Sequence, residues 1–399
     1  MKDSLNHMPK YFSQSWRFWL LFLGVVFPLF FGLIWLTLLQ LLLFGVYKCM
    51  LYVTGWIKNM TLRKLIRGIF LFLWLLLISV CAKVFLVEIY KIPSNSMENT
   101  LFSNDVILVN KLTYGPKLPR SPFEISWVNL LFYLNDNARN AMEENWWSYR
   151  RLDGIRNVKQ GDVLVFQESR TLFVIKRCVG VAGDTLSIIA GKVYTNSEKY
   201  FPPSTVKKKY NFKVTNRRKF FKRKDSIIPN VYFSAGDDAI NSFQGNFTYD
   251  EWERISKIPE VYDLKKELDT YDAQKGLFAM PRGSKWTLDN MGPFLIPKKG
   301  LEIKLDAFNF HIYKKALEKY EKVEIHERNG GYFINGEKAK SYRFKQDYFF
   351  VMGDNREGSL DSRYIGFIPE EHIVGKVPYI LFSYYRRQFR WNRFFKKLL

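Results

Sequence analysis

The sequence predicts a mainly β protein, in which an antiparallel β domain is anchored by two N-terminal transmembrane helices and carries a large inserted accessory lobe. Two observations predict this fold class. Two long apolar runs precede residue 90, and beyond it short apolar or alternating runs are separated by Gly, Asn and Asp, as in antiparallel strands joined by turns. The 399 residues are 47% hydrophobic, which supplies material for a folded core and excludes a disordered protein.

The two apolar runs predict the membrane anchor. Residues 18–47 contain no charged residue. About 20 apolar residues suffice to cross a bilayer, whereas the apolar core of a cleaved signal peptide has only about 7–15. We therefore expect a retained transmembrane helix over 18–47, with Pro28 as a potential kink. The second run is uncharged only over 68–82, and we extend it to 68–88 because Lys83 can snorkel to the surface. A buried core helix is the alternative for this shorter run.

Basic residues predict the orientation of these helices. The connecting loop, 48–67, contains no acidic residue and five basic ones: Lys48, Lys58, Arg63, Lys64 and Arg67. Cytoplasmic loops carry an excess of Lys and Arg, so we expect this loop in the cytoplasm. Residues 1–17 and everything after residue 88 would then lie on the extracytoplasmic, or periplasmic, side of a cytoplasmic (inner) membrane.

The rest of the chain divides into two β parts around an insertion. Similar hairpin sequences, Gly191–Lys199 and Gly330–Lys338, each follow a short apolar run, and the chain between them lacks this pattern. The expected segments are the first part of the β domain at 89–199 with an irregular insertion at 116–158, an accessory lobe at 200–321, the second part of the β domain at 322–385, and a basic aromatic tail at 386–399. Candidate strands lie at 105–111, 162–167, 171–181, 184–189, 192–196, 322–326, 332–335, 347–353 and 373–382.

The charge of the chain bears on its partners. There are 61 Lys and Arg against 38 Asp and Glu, for a formal net charge of +23. Ten basic residues lie in 207–224 without an acid, and six lie between Arg386 and Lys397 among aromatic residues. Neither run matches a nucleic-acid-binding motif, so no nucleic-acid partner is expected. Both runs would suit an anionic bilayer, at about 1 kcal/mol per basic residue, and a solvated basic face is the alternative.

Ser96 and Lys176 remain as candidate reactive residues once other sites are excluded. Three cysteines and four scattered histidines give neither a disulfide framework nor metal-ligand spacing, and the Gly-x-Ser-x-Gly, His-Glu-x-x-His and P-loop motifs are absent. Ser96 follows Lys83 by 13 residues, which span about 40 Å at most, so it lies near the membrane. Lys176 lies in a β-like apolar run. If it is buried, its pKa falls and its neutral amine can serve as a general base for a serine hydroxyl; a lysine on the solvent face is the alternative.

Four stretches, in order, resemble the bacterial type I signal peptidases, membrane-bound Ser-Lys serine proteases that release exported proteins from their leader peptides. The stretches are Pro93–Met97 with Thr100–Leu101, Asn104–Gly115, Lys176–Arg177 with Gly180–Asp184, and Gly353–Arg363 with Gly366. The resemblance covers residues 1–115, 160–200 and 322–385 and says little about 116–158 and 200–320. It implies two partners, exported preproteins with small residues before the cleavage site and the lipid bilayer, and it requires no cofactor. It leaves the oligomeric state open.

The resemblance also implies roles for individual residues. Ser96 matches the nucleophile and Lys176 the general base. Ser94 matches the hydroxyl that forms an oxyanion hole with the backbone N–H of Ser96, and Ser359 matches the serine that orients the lysine amine. Structural ion pairs near the site are implied for Asp361 with Arg363 and for Asp354 with Arg177. Apolar positions beside the substrate cleft are matched by Ile92, Met97, Leu101 and Ile175.

Departures from the family pattern are modest, and three other hypotheses stay open. Asn99 and Ala182 replace usual prolines and Gly358 replaces a usual asparagine, which puts loop geometry but no chemical group in question.

The chain could be a membrane-anchored paralogue that binds leader peptides without cutting them, although both Ser96 and Lys176 are present. It could be a membrane-surface or nucleic-acid binding module driven by its basic runs. It could be a self-cleaving Ser-Lys regulator, against which the two spans and their orientation argue.

Overall fold

The computed structural model describes residues 26, 28–125, 147–169, 172–227, 233–236, 241–269, 276–281, 283–385 and 388–398. The chain divides into two compact units, one of residues 1–88 with 110–157 and one of residues 89–109 with 158–399. The expected N-terminal segment 1–17 lies outside the described residues, as do residues 18–25 and 27 of the first expected span and residues 126–146 of the insertion 116–158.

The helices and strands of the described chain follow in order. The α-helices are α1 Ile34–Gly55, α2 Met60–Cys81, α3 Arg217–Ile227, α4 Tyr249–Ser256, α5 Ala307–Ala316 and α6 Ser362–Ile365. The strands are β1 Val87–Lys91, β2 Asp105–Asn110, β3 Val163–Gln167, β4 Phe173–Gly180, β5 Thr185–Ile189, β6 Lys192–Thr195, β7 Glu198–Lys199, β8 Lys208–Val214, β9 Ser234–Ala235, β10 Ser242–Phe247, β11 Val261–Lys266, β12 Met291–Leu295, β13 Glu302–Lys304, β14 Ile325–Arg328, β15 Gly331–Ile334, β16 Glu337–Ala339, β17 Ser341–Arg343, β18 Tyr348–Met352, β19 Ile368–Pro369, β20 Ile373–Tyr385, β21 Gln388–Phe389 and β22 Lys396–Lys397.

The first unit contains the two apolar helices. Helix α1, and α2 together with its π-helical extension Ala82–Leu86, are long and apolar enough to cross a membrane. No residue of α2 is buried among the described residues, so this apolar helix is not the core helix that is the alternative for this run. The carbonyl of Leu43 in α1 accepts a hydrogen bond from the Trp74 indole of α2 at 3.2 Å.

The helices extend farther toward each other than the sequence indicates. Only residues 56–59 separate α1 from α2, whereas we expect a loop over 48–67. The reason is that charged residues limit the hydrophobic span without ending a helix. Helix α2 begins where the Asn59 side chain caps the backbone N–H groups of Thr61 and Leu62.

The ends of the insertion 116–158 run side by side within the first unit. The backbone N–H of Leu118 donates to the carbonyl of Arg150, and that of Leu152 donates to the carbonyl of Pro116. Gly115 adopts a φ of +82°, and a Cβ at this position would lie 1.8 Å from the Leu152 carbonyl oxygen. Glycine is therefore required where the two ends approach each other.

A large β-sheet of the second unit carries most of the residues of interest. Its strand order is β1-β2-β20-β3-β4-β18-β19, with β21 and β22 pairing to β20. The pairs β20–β3, β3–β4, β4–β18 and β18–β19 are antiparallel. One face is covered by an aliphatic core that includes Ile107, Val163, Val165, Val374 and Ile380. This architecture confirms the prediction of a mainly antiparallel β protein with apolar N-terminal helices.

The two similar hairpin sequences have the same construction in a second, aromatic-rich core. One belongs to the sheet β12-β5-β6-β7 and the other to β14-β15-β16. Each turns at an asparagine with positive φ, 52° at Asn196 and 50° at Asn335. The side-chain oxygens of these asparagines accept backbone N–H groups of Thr185 and Glu324, both at 2.9 Å.

The predicted accessory lobe, 200–321, is not one body in the structure. Strands β11-β8-β10-β9 form a separate sheet, here called the lobe sheet, which with α3 and α4 encloses a core containing Phe212, Phe220 and Phe243. Strand β12 instead pairs with β5, and α5 packs in the aromatic-rich core. None of the candidate strands lies in 200–321, and local periodicity does not show which strand pairs with which, so this division could not be predicted.

Candidate active site

Ser96 and Lys176 are brought together although 80 positions separate them in the chain. Ser96 lies in a tight turn, residues 95–101, here called the serine turn. The turn is closed by donation from the Leu101 N–H to the Met97 carbonyl at 2.7 Å. Lys176 lies on β4 opposite Leu164 of β3. Its Nζ donates a hydrogen bond to Ser96 Oγ at 2.7 Å.

Burial alters the chemistry of Lys176. The residue is only 3% exposed, because the sheet and the serine turn enclose it. This burial lowers the pKa of its ammonium group from 10.5 to about 8, although the negative charges of Asp361 and Asp354 oppose the shift. A substantial fraction of the amine is therefore neutral at mildly alkaline pH and can accept a proton.

The two other serines differ in their relation to this pair. Ser94 is exposed, and its Oγ lies 3.3 Å from Ser96 Oγ. Ser359 is buried, and its hydroxyl lies near enough to Asp361 to help lower the pKa of that carboxyl, but it makes no hydrogen bond to Lys176. The structure therefore does not form the expected hydrogen bond between Ser359 and Lys176, and the orienting role of Ser359 stays a prediction. The Ser359 hydroxyl instead lies against the Cα of Gly353, where a Cβ would be 2.2 Å away.

Two buried ion pairs flank the site, with the partners that the resemblance implies. Arg177 binds Asp354 through two hydrogen bonds, Nε to Oδ1 at 2.9 Å and Nη2 to Oδ2 at 2.7 Å. Arg363 binds Asp361 in the same bidentate manner, at 2.9 and 3.0 Å. Burial alone would raise the pKa of Asp361, but the charge and hydrogen bonds of Arg363 outweigh it and hold that pKa below its ordinary value.

The loop Gly353–Asn355 supports the backbone of the serine turn. The N–H of Asn355 donates to the carbonyl of Ser96 at 3.0 Å, and the Asn355 side-chain amide donates to the carbonyl of Asn95 at 3.2 Å. Asp361 accepts the backbone N–H of Gly353 at 3.0 Å. The sequence predicts no role for Gly353 or Asn355, although both lie in the matched stretch 353–363.

Residues of the segment 200–321 also contact the serine turn. Thr205 Oγ1 lies 2.6 Å from Thr100 Oγ1, and Lys207 Nζ forms an ion pair with Glu98 at 3.0 Å. The backbone N–H of Lys207 donates to the carbonyl of Asp354 at 2.8 Å. Sequence reasoning missed Thr205 and Lys207 because they lie outside every matched stretch and no motif marks them.

The apolar residues expected beside the cleft are mostly in the core. Ile92, Met97 and Leu101 are buried in the aliphatic core, and Ile175 is half-buried against it. Because the first three are buried, they can limit the depth of a substrate cleft from the core side but cannot line its exposed surface. Asn99 has a φ of 74°, which the proline usual in the resembling family cannot adopt because its ring fixes φ near −65°.

The chain is similar in sequence to known proteins. A family model described as signal peptidase, peptidase S26, matches residues 63–249 and 301–382. Signal peptidase I of Buchnera aphidicola subsp. Baizongia pistaciae (strain Bp) is 25% identical over 340 residues, which is 82% of this chain and 80% of that protein. Signal peptidase I of Helicobacter pylori (strain J99 / ATCC 700824) is 24% identical over 327 residues, 80% of this chain and 84% of that protein.

The matches reach beyond the four stretches that carry the resemblance. The family model includes 116–158 and 200–249, and residues 250–300 lie between its two matched ranges. Two helices apolar enough to cross a bilayer accompany the match, as a membrane-anchored protein requires. Because the model matches more than half of the residues, the chain belongs to the signal peptidase family, peptidase S26, and is a serine endopeptidase that removes signal peptides from preproteins.

Proposed function

We propose that Ser96 is the nucleophile of this peptidase and Lys176 its general base. The 2.7 Å hydrogen bond between Lys176 Nζ and Ser96 Oγ carries the proposal. In the neutral state the amine can accept the serine proton along this line as Oγ attacks the scissile carbonyl. The pKa of about 8 supports this role, since a base that titrates near the working pH is both available and strong enough.

The remaining steps follow from the same groups. The hydroxyl of Ser94 and the backbone N–H of Ser96 would stabilise the oxyanion, and loss of one such donor costs about 10²–10³ in rate. The Lys176 ammonium then protonates the leaving amine, and a water that the same lysine deprotonates hydrolyses the acyl-enzyme. The pairs Arg177–Asp354 and Arg363–Asp361 would hold the backbone around the dyad, and Ser359 would orient the amine.

The proposed substrates are exported preproteins with small residues before the cleavage point. Ile175 would contact these residues directly. Ile92, Met97 and Leu101 would limit the depth of the pockets from the core side, because all three are buried in the aliphatic core. Shallow pockets admit small side chains and exclude large ones by steric clash.

Cleavage of a purified preprotein by the detergent-solubilised full-length chain tests the dyad. Ser96→Ala and Lys176→Ala are measured in parallel, and peptide mapping locates the cut. We expect the wild type to cut after a small residue at the end of the leader, and both variants to be inactive while folded. Normal cleavage by Lys176→Ala would refute the assignment of the base. A folded wild type that binds the leader without cutting would favour the non-catalytic paralogue.

We also propose that the chain is a multi-pass membrane protein whose β domain lies outside the cytoplasm. In this arrangement 48–67 is cytoplasmic and 1–17 is extracytoplasmic, and within 200–321 the lobe sheet is the accessory part of the outer domain. The basic, acid-free character of 48–67 supports the orientation. Protease added to spheroplasts should remove a C-terminal epitope tag, and protection of the tag in intact spheroplasts would refute the orientation.

The C-terminal tail supports a proposed contact with anionic lipid. Strands β21 and β22 pair with β20, and exposed Trp391, Phe395, Lys396 and Lys397 lie on this segment. Aromatic rings beside basic side chains suit the membrane interface. In anionic vesicles, Trp391→Ala should lower kcat/KM and have no effect in detergent. Phe201→Ala is the matched control, since Phe201 is 77% exposed and Trp391 76%. Equal loss in both media would contradict the lipid contact.

A further inference from the structure

A polar cleft of about 610 Å³ opens between the serine turn and the lobe sheet, both within the second unit. Its lining includes Glu98 from the serine turn, Lys207, Glu357, and Ser234, Gln244 and Asn246 from the lobe sheet. This volume lies in the range of about 300–1,000 Å³ that is usual for ligand sites.

The cleft adjoins the dyad through a short chain of contacts. The side-chain amide of Asn246, in the cleft wall, donates to Asn355 Oδ1 at 3.3 Å. The backbone N–H of Asn355 in turn donates to the carbonyl of Ser96. Glu98, which also lines the cleft, is two residues from Ser96. A peptide bound in the cleft would therefore lie near Ser96, the proposed nucleophile.

The chemistry of the lining favours a peptide main chain as the ligand. Ser234, Gln244 and Asn246 contribute hydroxyl and amide groups to the lining. These groups can donate hydrogen bonds to peptide carbonyls and accept them from peptide N–H groups. The basic residues of the lining are already paired, Lys207 with Glu98 at 3.0 Å and Lys209 with Glu267 at 2.7 Å. Because both lysines of the described lining are paired, the cleft offers no free cation for a small anion. The carboxylate of Glu357 can accept a peptide N–H, and the lining is too polar for an apolar ligand.

The strand that carries Lys176 has an open edge on one side of the dyad only. Along β4, residues 173–177 pair with β3, whereas β18 pairs with β4 only from Arg177 onward. Among the described strands, the edge of β4 that precedes Lys176 on the β18 side is therefore open to an extended leader. Past Lys176 this edge is occupied by β18, so a substrate extended along it cannot continue in the sheet beyond the dyad. The polar cleft, which Glu98 of the serine turn lines, offers a place for the rest of the chain.

We propose that this polar cleft binds the first residues of the mature protein, immediately after the scissile bond. This inference rests on the proposed function of Ser96 and Lys176, because it takes their position as the cleavage point. It assigns the lobe sheet a role in substrate binding through contacts to the peptide main chain. Such contacts tolerate many side chains, which suits an enzyme whose products have different N-terminal sequences.

The inference is tested by measuring cleavage of two substrates by the wild type and by a variant whose cleft is blocked by a large side chain. One substrate is a leader-derived peptide that continues for eight residues past the cleavage site. The other ends at that site in a small fluorogenic amide. Ser234→Trp places an indole in the cleft, and Ser234 is exposed, so the fold should tolerate it. We expect kcat/KM to fall at least about tenfold for the long peptide and to stay within about twofold for the short one, because remote binding energy is lost only for the former.

Ser256→Trp is the matched control, because Ser256 is an exposed serine of α4 that does not line the cleft. It should leave both substrates unaffected. If the wild type cleaves both substrates and Ser234→Trp slows both equally or neither, the assignment of the cleft is wrong while the dyad stands. If the wild type cleaves neither substrate, the proposed function fails and the inference fails with it.

Discussion

The hydroxyl oxygens of Thr205 and Thr100 lie 2.6 Å apart, across 105 positions of the chain. Thr100 also donates to Asp354 Oδ2 at 2.5 Å. A carboxylate can only accept, so the single proton of Thr100 is used there and Thr205 must be the donor to Thr100. Asp354 binds Arg177, the neighbour of Lys176 on β4. A hydroxyl from outside the matched motifs is thus linked to the strand that carries the proposed base.

Thr205→Val should loosen the serine turn without changing any contact with the substrate. The isosteric change removes one hydrogen bond, so we expect the free energy of unfolding to fall by about 1 kcal/mol. We expect kcat to fall about three- to tenfold with KM unchanged, since a positioning residue affects the alignment of the dyad. Urea denaturation and steady-state kinetics measure the two effects.

Thr205→Ser keeps the donor and should recover most of the wild-type kcat. Ser204→Ala is the control, because Ser204 is the exposed neighbour. If Thr205→Val retains full kcat, or if Thr205→Ser fails to restore it, the hydrogen bond of Thr205 does not position the dyad.

Local sequence patterns predicted much of the β-sheet and which residues form the candidate site. They did not predict the contacts between distant segments of the chain. Strand β20 is expected at 373–382 and is observed at Ile373–Tyr385, because apolar alternation is a local signal. Ser96 and Lys176 could be paired because ordered motifs mark both. The contact of Thr205 with Thr100 could not be predicted, since it depends on how 200–321 folds back. The same non-local pairing explains why the place of β12 beside β5 escaped prediction.

The pH dependence of cleavage should report the Lys176 amine. Its pKa is lowered to about 8, so the inactive ammonium form predominates below that pH and the neutral base above it. Well below pH 8 we expect kcat/KM to increase about tenfold for each unit of rising pH. Above pH 8 we expect it to level off. Single-turnover cleavage between pH 6 and pH 10 measures this profile. A midpoint near 10, typical of an exposed lysine, would contradict a buried base.

Lys176→Met should abolish activity and stabilise the fold. The fall in pKa from 10.5 to about 8 corresponds to about 3 kcal/mol of unfavourable burial of the charged amine. Between these two values the unfolded chain binds a proton that the folded chain has released, so the free energy of unfolding of the wild type rises with pH there. The gain from methionine should therefore be largest below pH 8 and shrink toward pH 10.

Thermal and urea denaturation at pH 7 and pH 10 test this stability difference. Lys192→Met is the matched control, because Lys192 is an exposed lysine of β6. It should change stability little at either pH. If Lys176→Met is no more stable than the wild type at pH 7, the ammonium is better solvated or better paired in the fold than its burial indicates.

Gly353→Ala should disable the dyad through steric clash. A Cβ at this position would lie 2.2 Å from Ser359 Oγ and 2.6 Å from the carbonyl oxygen of Ser96, so the serine turn must move. A displacement near 1 Å can cost about 100-fold in rate, and we expect a loss of at least that size in kcat/KM. Gly331→Ala is the control, since its added Cβ would have no neighbour closer than 3.5 Å. Adding Ser359→Ala should not rescue Gly353→Ala, because the added Cβ would still lie 2.5 Å from the Cβ of residue 359 and 2.6 Å from the Ser96 carbonyl oxygen. Recovery of activity in the double variant would contradict a displacement of the serine turn by this clash.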